Sequence, residues 1–307
     1  MKPLNIVFMG SPDFAVPSLE KLHDSAHKIL AVVSNPDKRR GRRGKPVPTA
    51  VKSRALELSL PTIDVEDVKS ARFYEQLNSL QPDLLVVVAF RILPPAILEI
   101  PKKGSINLHA SLLPKYRGAA PIHWAVINGE KVTGCTVFFL NEKVDTGNII
   151  DMKETAIGET ETTGDIYNRL KVIGSDLLLD CVDKIASDSF TLKPQEDSKA
   201  TPAPKLFREN THIEFGKDAQ SVHNFIRGLH PFPGAWCTYL GQKMNIHRSK
   251  PQMDLDLEPG KLSYIENKLF AGCGNGSLEL QELQLPGTKI LSGSEFANGY
   301  ELNVQLQ

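Results

Sequence analysis

The sequence predicts an α/β protein of two domains, a mostly parallel sheet flanked by helices followed by a smaller β-rich domain. Three observations carry this. Short apolar runs alternate with helix-spaced segments through Ala89, the order expected of a parallel sheet. One run, Asp83 to Ala89 (DLLVVVA), is almost continuously apolar, as in a strand covered on both faces. Beyond Leu206 several short strand-like runs are separated by Gly and Pro, the pattern of a small β-barrel or sandwich.

At 307 residues the chain exceeds what one core comfortably supports, and two domains are expected. A composition of 41% hydrophobic and 23% charged residues belongs to an ordinary globular protein. The 36 basic residues balance the 36 acidic ones, so no whole-molecule attraction to nucleic acid or an anionic membrane is implied. The opening lacks the long apolar run of a signal peptide, and no later run approaches the ~18 apolar residues of a membrane span. Cys135, Cys181, Cys237 and Cys273 contain no CxxC pair, so neither a disulfide framework nor a metal site is expected. These features together read as a reduced, cytoplasmic enzyme.

Taken in order, Leu4 to Met9 is a strand, Gly10-Ser11-Pro12 a turn, and Phe14, Ala15, Leu19 and Leu22 mark a helix. The turn lacks the later glycines of a dinucleotide fingerprint, which excludes a nicotinamide cofactor. Gly10 has two open readings, a sharp turn or a ligand-lining position. Ile29 to Val33 makes the next strand. Asn35 to Arg54 then carries eight basic residues against one acid, Asp37. Gly41, Gly44, Pro46 and Pro48 oppose a helix in its first half. This is either a solvated loop or a phosphate-seeking one, since guanidinium forks match phosphate geometry. Pro61 to Val65 reads as a strand and Val68 to Leu80 as a helix. The loop Phe90 to Pro94, after the apolar strand, offers an aromatic ring and backbone groups to a flat heterocycle. Thr160 to Ala186 has the spacing of a long helix. Ser187 to Pro204 turns polar and proline-containing, as an interdomain linker would. One helical patch, Ser221 to Arg227, precedes the C-terminal strands.

The densest polar chemistry lies between Gly104 and Asp151. Ser105 to His109 reads as a strand, so Asn107 and His109 share a face. An amide donor beside an imidazole suits attack of an amine on a carbonyl, stabilising the oxyanion and handling a proton. An Asp beside His109 would orient its ring, and Asp145, in an Asp-Thr-Gly turn, is the candidate. On spacing alone the alternative stays open, a capped strand edge and an ordinary turn.

The run N-L-H-A-S-L-L-P at Asn107 to Pro114, followed by Tyr116-Arg117-Gly118, Pro121, Trp124 and Asp145-Thr146-Gly147, resembles the folate-dependent formyltransferases. The likeness continues in F-M-G-S-P-D-F-A near the start, V-V-V-A-F before Arg91, A-P-K at Ala203 to Lys205 and H-P-F-P-G-A at His230 to Ala235. The resemblance implies a doubly wound, Rossmann-like N-terminal formyltransferase domain over 1–188, a linker over 189–206, and a C-terminal open β-barrel of OB-like type over 207–307. It implies formyl transfer from 10-formyltetrahydrofolate to the α-amino group of methionine esterified to initiator tRNA, by a monomer acting in translation initiation. Asn107 and His109 would polarise the formyl carbonyl, with Asp145 positioning His109 and assisting proton removal. The folate would lie against Val88, Phe90, Arg91, Leu93, Ser111, Leu112, Leu113, Pro114, Val137 and Gly147, its pterin held largely by backbone. Arg39, Arg40, Arg42, Arg43 and Lys45, with Lys205, would meet the tRNA.

Two features depart from the family pattern. The pterin loop reads A-F-R-I-L-P, one residue short of the commoner form and with Arg91 near a glycine position. Arg208 to Gln307 holds nine basic and eleven acidic residues, which moves phosphate recognition to the basic insert and to surface cations such as Lys205, Lys243 and Arg248. The rival readings are a formyltransferase acting on a small amine, a formyltetrahydrofolate hydrolase and a non-catalytic tRNA-binding module. The insert and the C-terminal domain argue against the first two, and retention of all three polar residues against the third.

Overall fold

The structure, a computed structural model, describes residues 2–39 and 44–307. They form two compact units built from non-contiguous segments. The first comprises Met1–Gly118, Gly134–Thr155 and Tyr167–Pro202, and the second Ala119–Thr133, Ala156–Ile166 and Ala203–Gln307. The contiguous domains read from the sequence therefore differ from this partition. Helix pairing explains the difference: Pro121–Ile127 packs on Ala219–Leu229, and Ile127 joins the C-terminal core.

In the first unit seven strands lie in the order Ile149–Ala156, Val132–Phe139, Ser105–His109, Leu84–Val88, Asn5–Gly10, Lys28–Ser34, Thr62–Asp64. The five from Ser105–His109 to Thr62–Asp64 pair in parallel, and Val132–Phe139 runs antiparallel to Ser105–His109. Side chains alternate across this sheet, yet both faces of its central strands are buried, as the continuous apolar run requires. Val7, Met9, Leu85 and Val87 fill one core with Phe73, Leu77 and Ile97, while Ile6 and Phe8 are buried on the opposite face. Helices start at side-chain caps: Thr49 accepts from Lys52 N ahead of Ala50–Glu57, and Ser70 from Phe73 N ahead of Ala71–Ser79. Each such cap is worth about 1 kcal/mol.

Connectivity reverses at Asn5–Gly10, whose neighbours are Lys28–Ser34 on one side and Leu84–Val88 on the other. Sheets of this kind bind ligands outside the carboxyl ends of the strands at such a reversal. Gly10 stands there for packing: a Cβ would lie 2.9 Å from Ala15 Cβ and 3.0 Å from Val88 O. This favours the turn reading over a ligand-lining one.

The proline-containing segment after Ala186 is not a free tether. Lys193 exchanges backbone hydrogen bonds of 2.8 and 2.9 Å with Ile149, adding to the sheet edge. Proline is compatible with such an edge.

The second unit is an antiparallel sheet in the order Ala235–Tyr239, Gln242–Gln252, Ser277–Gln284, Lys268–Gly272, Leu262–Ile265, with Leu291–Ser292 also on Ser277–Gln284. Helix Ala219–Leu229 lays Ala219, Val222, Ile226 and Leu229 on a core with Met244, Ile246, Leu278, Leu280 and Phe296. A last helix, Gly293–Gly299, opens on a capping box of Ser292 and Glu295. Among the described residues no helix is long and apolar enough to cross a membrane.

Candidate active site

Strand Ser105–His109 places Asn107 opposite Phe138 and His109 opposite Thr136, so the two polar side chains share a face. Asn107 is half-buried, and among the described residues its carboxamide has no hydrogen-bond partner. A half-buried amide that the fold leaves unpaired is open to water or to a ligand.

His109 is 7% exposed, and the chain supplies both neighbours of its ring. Its Nε2 lies 2.8 Å from Tyr116 O, which requires the hydrogen on Nε2. That tautomer leaves Nδ1 toward Asp145 Oδ2 at 3.8 Å, beyond direct hydrogen bonding. A proton arriving at Nδ1 has that carboxylate as the nearest charge partner. With Nε2 bonded to Tyr116 O, Nδ1 is the ring nitrogen left without a hydrogen-bond partner.

Asp145 is held at both its carboxylate and its backbone oxygen. Gly118 N donates to its Oδ2 at 2.8 Å, and Gln195 Nε2 donates to both Asp145 O and Gly147 O at 2.9 Å. Its own backbone sits at φ 55°, a left-handed conformation that Asp tolerates better than most residues. Gly147 has no freedom to be anything else: a Cβ would fall 1.6 Å from Phe139 O. Gln195 Oε1 in turn accepts from Arg117 Nε and Nη2 at 3.0 and 2.7 Å. Sequence reasoning missed Gln195 because it lies in the segment read as linker, and no spacing signal ties it to a residue 50 positions away.

The residues expected against folate fall into two groups. Val88, Leu93, Ser111, Leu113 and Val137 are buried: Leu93 belongs to the core under the sheet, Leu113 packs with Phe138 and Ile149, and Ser111 Oγ donates to Lys115 O at 2.6 Å. Their side chains are taken up by the interior of the fold. Phe90, Arg91, Leu112 and Pro114 are partly exposed. Arg91 is already committed, with Nε on Asn35 Oδ1 at 2.6 Å and Nη1 on Glu66 O at 2.5 Å; it ties three strand-end loops together. Ala89 turns the chain at φ 48°, and the backbone of Phe90 to Ile92 makes no hydrogen bond to other described residues. Unpaired N–H and C=O groups at the carboxyl end of a sheet suit the edge of a pterin-like ring.

Of the basic insert, Arg40, Arg42 and Arg43 lie outside the described residues. Lys38–Arg39 pairs with Pro46–Val47 as a short ribbon, and Arg39 and Lys45 are exposed. Lys52 and Arg54 are spent within the fold, Lys52 on Asp37 and Asp64, Arg54 on Glu20 and Glu57. Lys205 is exposed in the second unit, its Nζ 5.3 Å from the Phe207 ring centre. Among the described residues no group of His, Cys, Asp and Glu is placed to hold a metal ion.

Comparison with known proteins matches residues 4–182 to the formyl transferase family and residues 205–301 to the formyl transferase C-terminal domain. The methionyl-tRNA formyltransferase of Chlorobium limicola is 44% identical over 306 residues, covering 97% of this chain and 96% of that one. That of Pelotomaculum thermopropionicum is 43% identical, covering 96% of each. Among solved structures, an N-formyltransferase from Helicobacter canadensis in complex with folinic acid and dTDP-3-aminofucose superposes with TM-score 0.71 at 21% identity, over 91% of this chain and 99% of that one. HypX from Aquifex aeolicus in complex with tetrahydrofolic acid gives 0.66 at 16% identity, over 97% of this chain and 47% of that one. These two establish the fold alone, whereas the family matches span both units, and the chain belongs to the formyl transferase family.

Proposed function

We propose that this protein transfers the formyl group of 10-formyltetrahydrofolate to the α-amino group of methionyl initiator tRNA. Identity of 44% along 97% of the chain to a methionyl-tRNA formyltransferase is the observation that carries this reading. The folate co-substrate supplies the activated formyl group. Phe90 to Ile92 offer backbone donors and acceptors to its ring, with Leu112, Pro114 and Gly147 beside them.

Each remaining task falls to a side chain already described. The free Asn107 carboxamide donates to the formyl oxygen as negative charge builds there. The attacking amine must be uncharged, and an α-amino group of pKa about 8 leaves a usable neutral fraction at neutral pH. As its nitrogen bonds to carbon it must lose a proton. His109 Nδ1 is the ring nitrogen available to move it, with Asp145 as the neighbouring carboxylate. The tetrahydrofolate nitrogen that leaves takes a proton up, so one is lost and one gained.

The tRNA is held through phosphates by the Lys38 to Lys45 insert, Arg40, Arg42 and Arg43 included, and by Lys205. Four buried free cysteines fit a reducing cytoplasm. Formyl transfer measured with charged initiator tRNA, free methionine and dTDP-amino sugars tests the assignment. The expected acceptor is the tRNA, and comparable turnover on an amino sugar would overturn it.

A further inference from the structure

The loop that follows strand Leu84–Val88 has few ties to the rest of the first unit. The backbone of Phe90 to Ile92 makes no hydrogen bond to other described residues, and Ile92 is 73% exposed. Phe90 at one end and Leu93 at the other pack on the core under the sheet. Between these two apolar anchors, the polar tie among the described residues is the Arg91 side chain. Its Nε donates to Asn35 Oδ1 at 2.6 Å and its Nη1 to Glu66 O at 2.5 Å.

Both acceptors hang from one buried strand end. Asn35 follows Ser34, and its own N donates to Ser11 Oγ at 3.1 Å. The Ser34 hydroxyl lies 3.3 Å from Ser11 Oγ and 2.5 Å from Thr49 Oγ1, with Ser11 and Ser34 both buried. Glu66 follows Val65, a core residue whose N donates to Ser34 O at 3.1 Å. Arg91 therefore fastens a sparsely held loop to a well-held one. Among the described residues it makes no ion pair, and both of its partners are neutral oxygens, so the geometry of its fork is used rather than its charge.

The loop held in this way carries the unpaired backbone groups that the proposed reaction gives to the folate ring. A loop that must be ordered as the ligand arrives weakens binding, and one fixed beforehand avoids that loss. We propose that Arg91 is a positioning residue for the folate ring: without touching the ring, it fixes the backbone of Phe90 to Ile92 through Asn35 and Glu66 O in the shape the ring takes. The assignment rests on the folate reading above, and it makes Asn35 a determinant of folate affinity.

Binding of folinic acid to the full-length protein, measured by calorimetry, tests it. Asn35→Ala leaves the loop sequence intact and removes the acceptor of Arg91 Nε. It is expected to raise Kd about ten-fold, the weight of one charge-assisted hydrogen bond. Arg91→Ala is expected to raise Kd at least as much, and the double variant no further than Arg91→Ala alone, because the two residues act as one contact. Asn35→Asp, whose carboxylate still accepts from Arg91 Nε, is expected to bind within about two-fold of wild type. In Asn35→Ala the KM for folate rises while kcat at saturating folate holds; a general loss of structure would lower kcat as well.

A rise in Kd for Arg91→Ala with none for Asn35→Ala would make Arg91 a direct contact and overturn the positioning role. So would independent losses that add in the double variant, or a loss in Asn35→Asp equal to that in Asn35→Ala. Wild type that fails to bind folinic acid overturns the folate reading and this proposal with it. Wild-type binding with all variants unchanged overturns this proposal alone.

Discussion

Asn107 and His109 stand two positions apart but have opposite circumstances. The histidine is anchored by Tyr116 O at 2.8 Å, whereas the asparagine amide is unengaged. A donor that is held in place but unspent loses little on meeting a developing oxyanion, and donors of that kind supply about 2.7–4 kcal/mol of transition-state stabilisation. Asn107→Ala is therefore expected to lower kcat about 10²–10³-fold while folate binding, followed by fluorescence, stays near wild type. Turnover within a few-fold of wild type would remove Asn107 from the reaction. His109 differs: in the proposed reaction its Nδ1, the ring nitrogen not bonded to Tyr116 O, moves a proton, so its loss is expected to act on a separate step.

At the scale of elements, the site is made by loops that the parallel sheet holds at one edge. Gln195 bridges two of them, donating to the Asp145 turn and accepting from Arg117 beside Gly118. Gly118 in turn donates to the Asp145 carboxylate. Gln195→Ala removes this positioning contact and is expected to cost about 1–3 kcal/mol of stability and to lower kcat about ten-fold, with little change in KM for folate. A lower melting temperature with kcat intact would make Gln195 scaffold only.

The strands of the first sheet were legible in the sequence because burial on both faces leaves a continuous apolar run, as in Leu84–Val88. Asn107 and His109 were legible because a strand's period of two fixes their shared face. Gln195 was not, since a hydrogen bond across 50 residues leaves no local pattern. Nor was the commitment of Arg91 to Asn35 and Glu66, or that of Lys52 to two carboxylates: a charge count cannot distinguish a cation spent inside the fold from one facing solvent. The helix Gly293–Gly299 did carry a signal, Ser292 followed three residues later by Glu295, a pattern that opens helices.

Across the whole molecule, charges cancel at 36 against 36, so pH dependence follows from individual groups. Burial pushes His123, His223 and His230 below the ordinary imidazole value, and all three belong to the second unit. Folded, they resist protonation; unfolded, they take up protons near pH 6.5. The unfolded chain thus binds more protons as pH falls below about 6.5, and stability declines from there until the folded-state values are passed. Carboxylates act lower. Asp218, held below its usual value by the Ser221 hydroxyl and amide, loses its contribution only as pH falls below about 4. The window between about pH 6.5 and 5 therefore isolates the histidines. Melting temperature is expected to fall across it, and His223→Gln, whose amide can still meet Ser249 and Glu159 O, is expected to make that fall shallower. An identical slope in wild type and variant would show that His223 titrates alike folded and unfolded, and would place the acid sensitivity elsewhere in the chain.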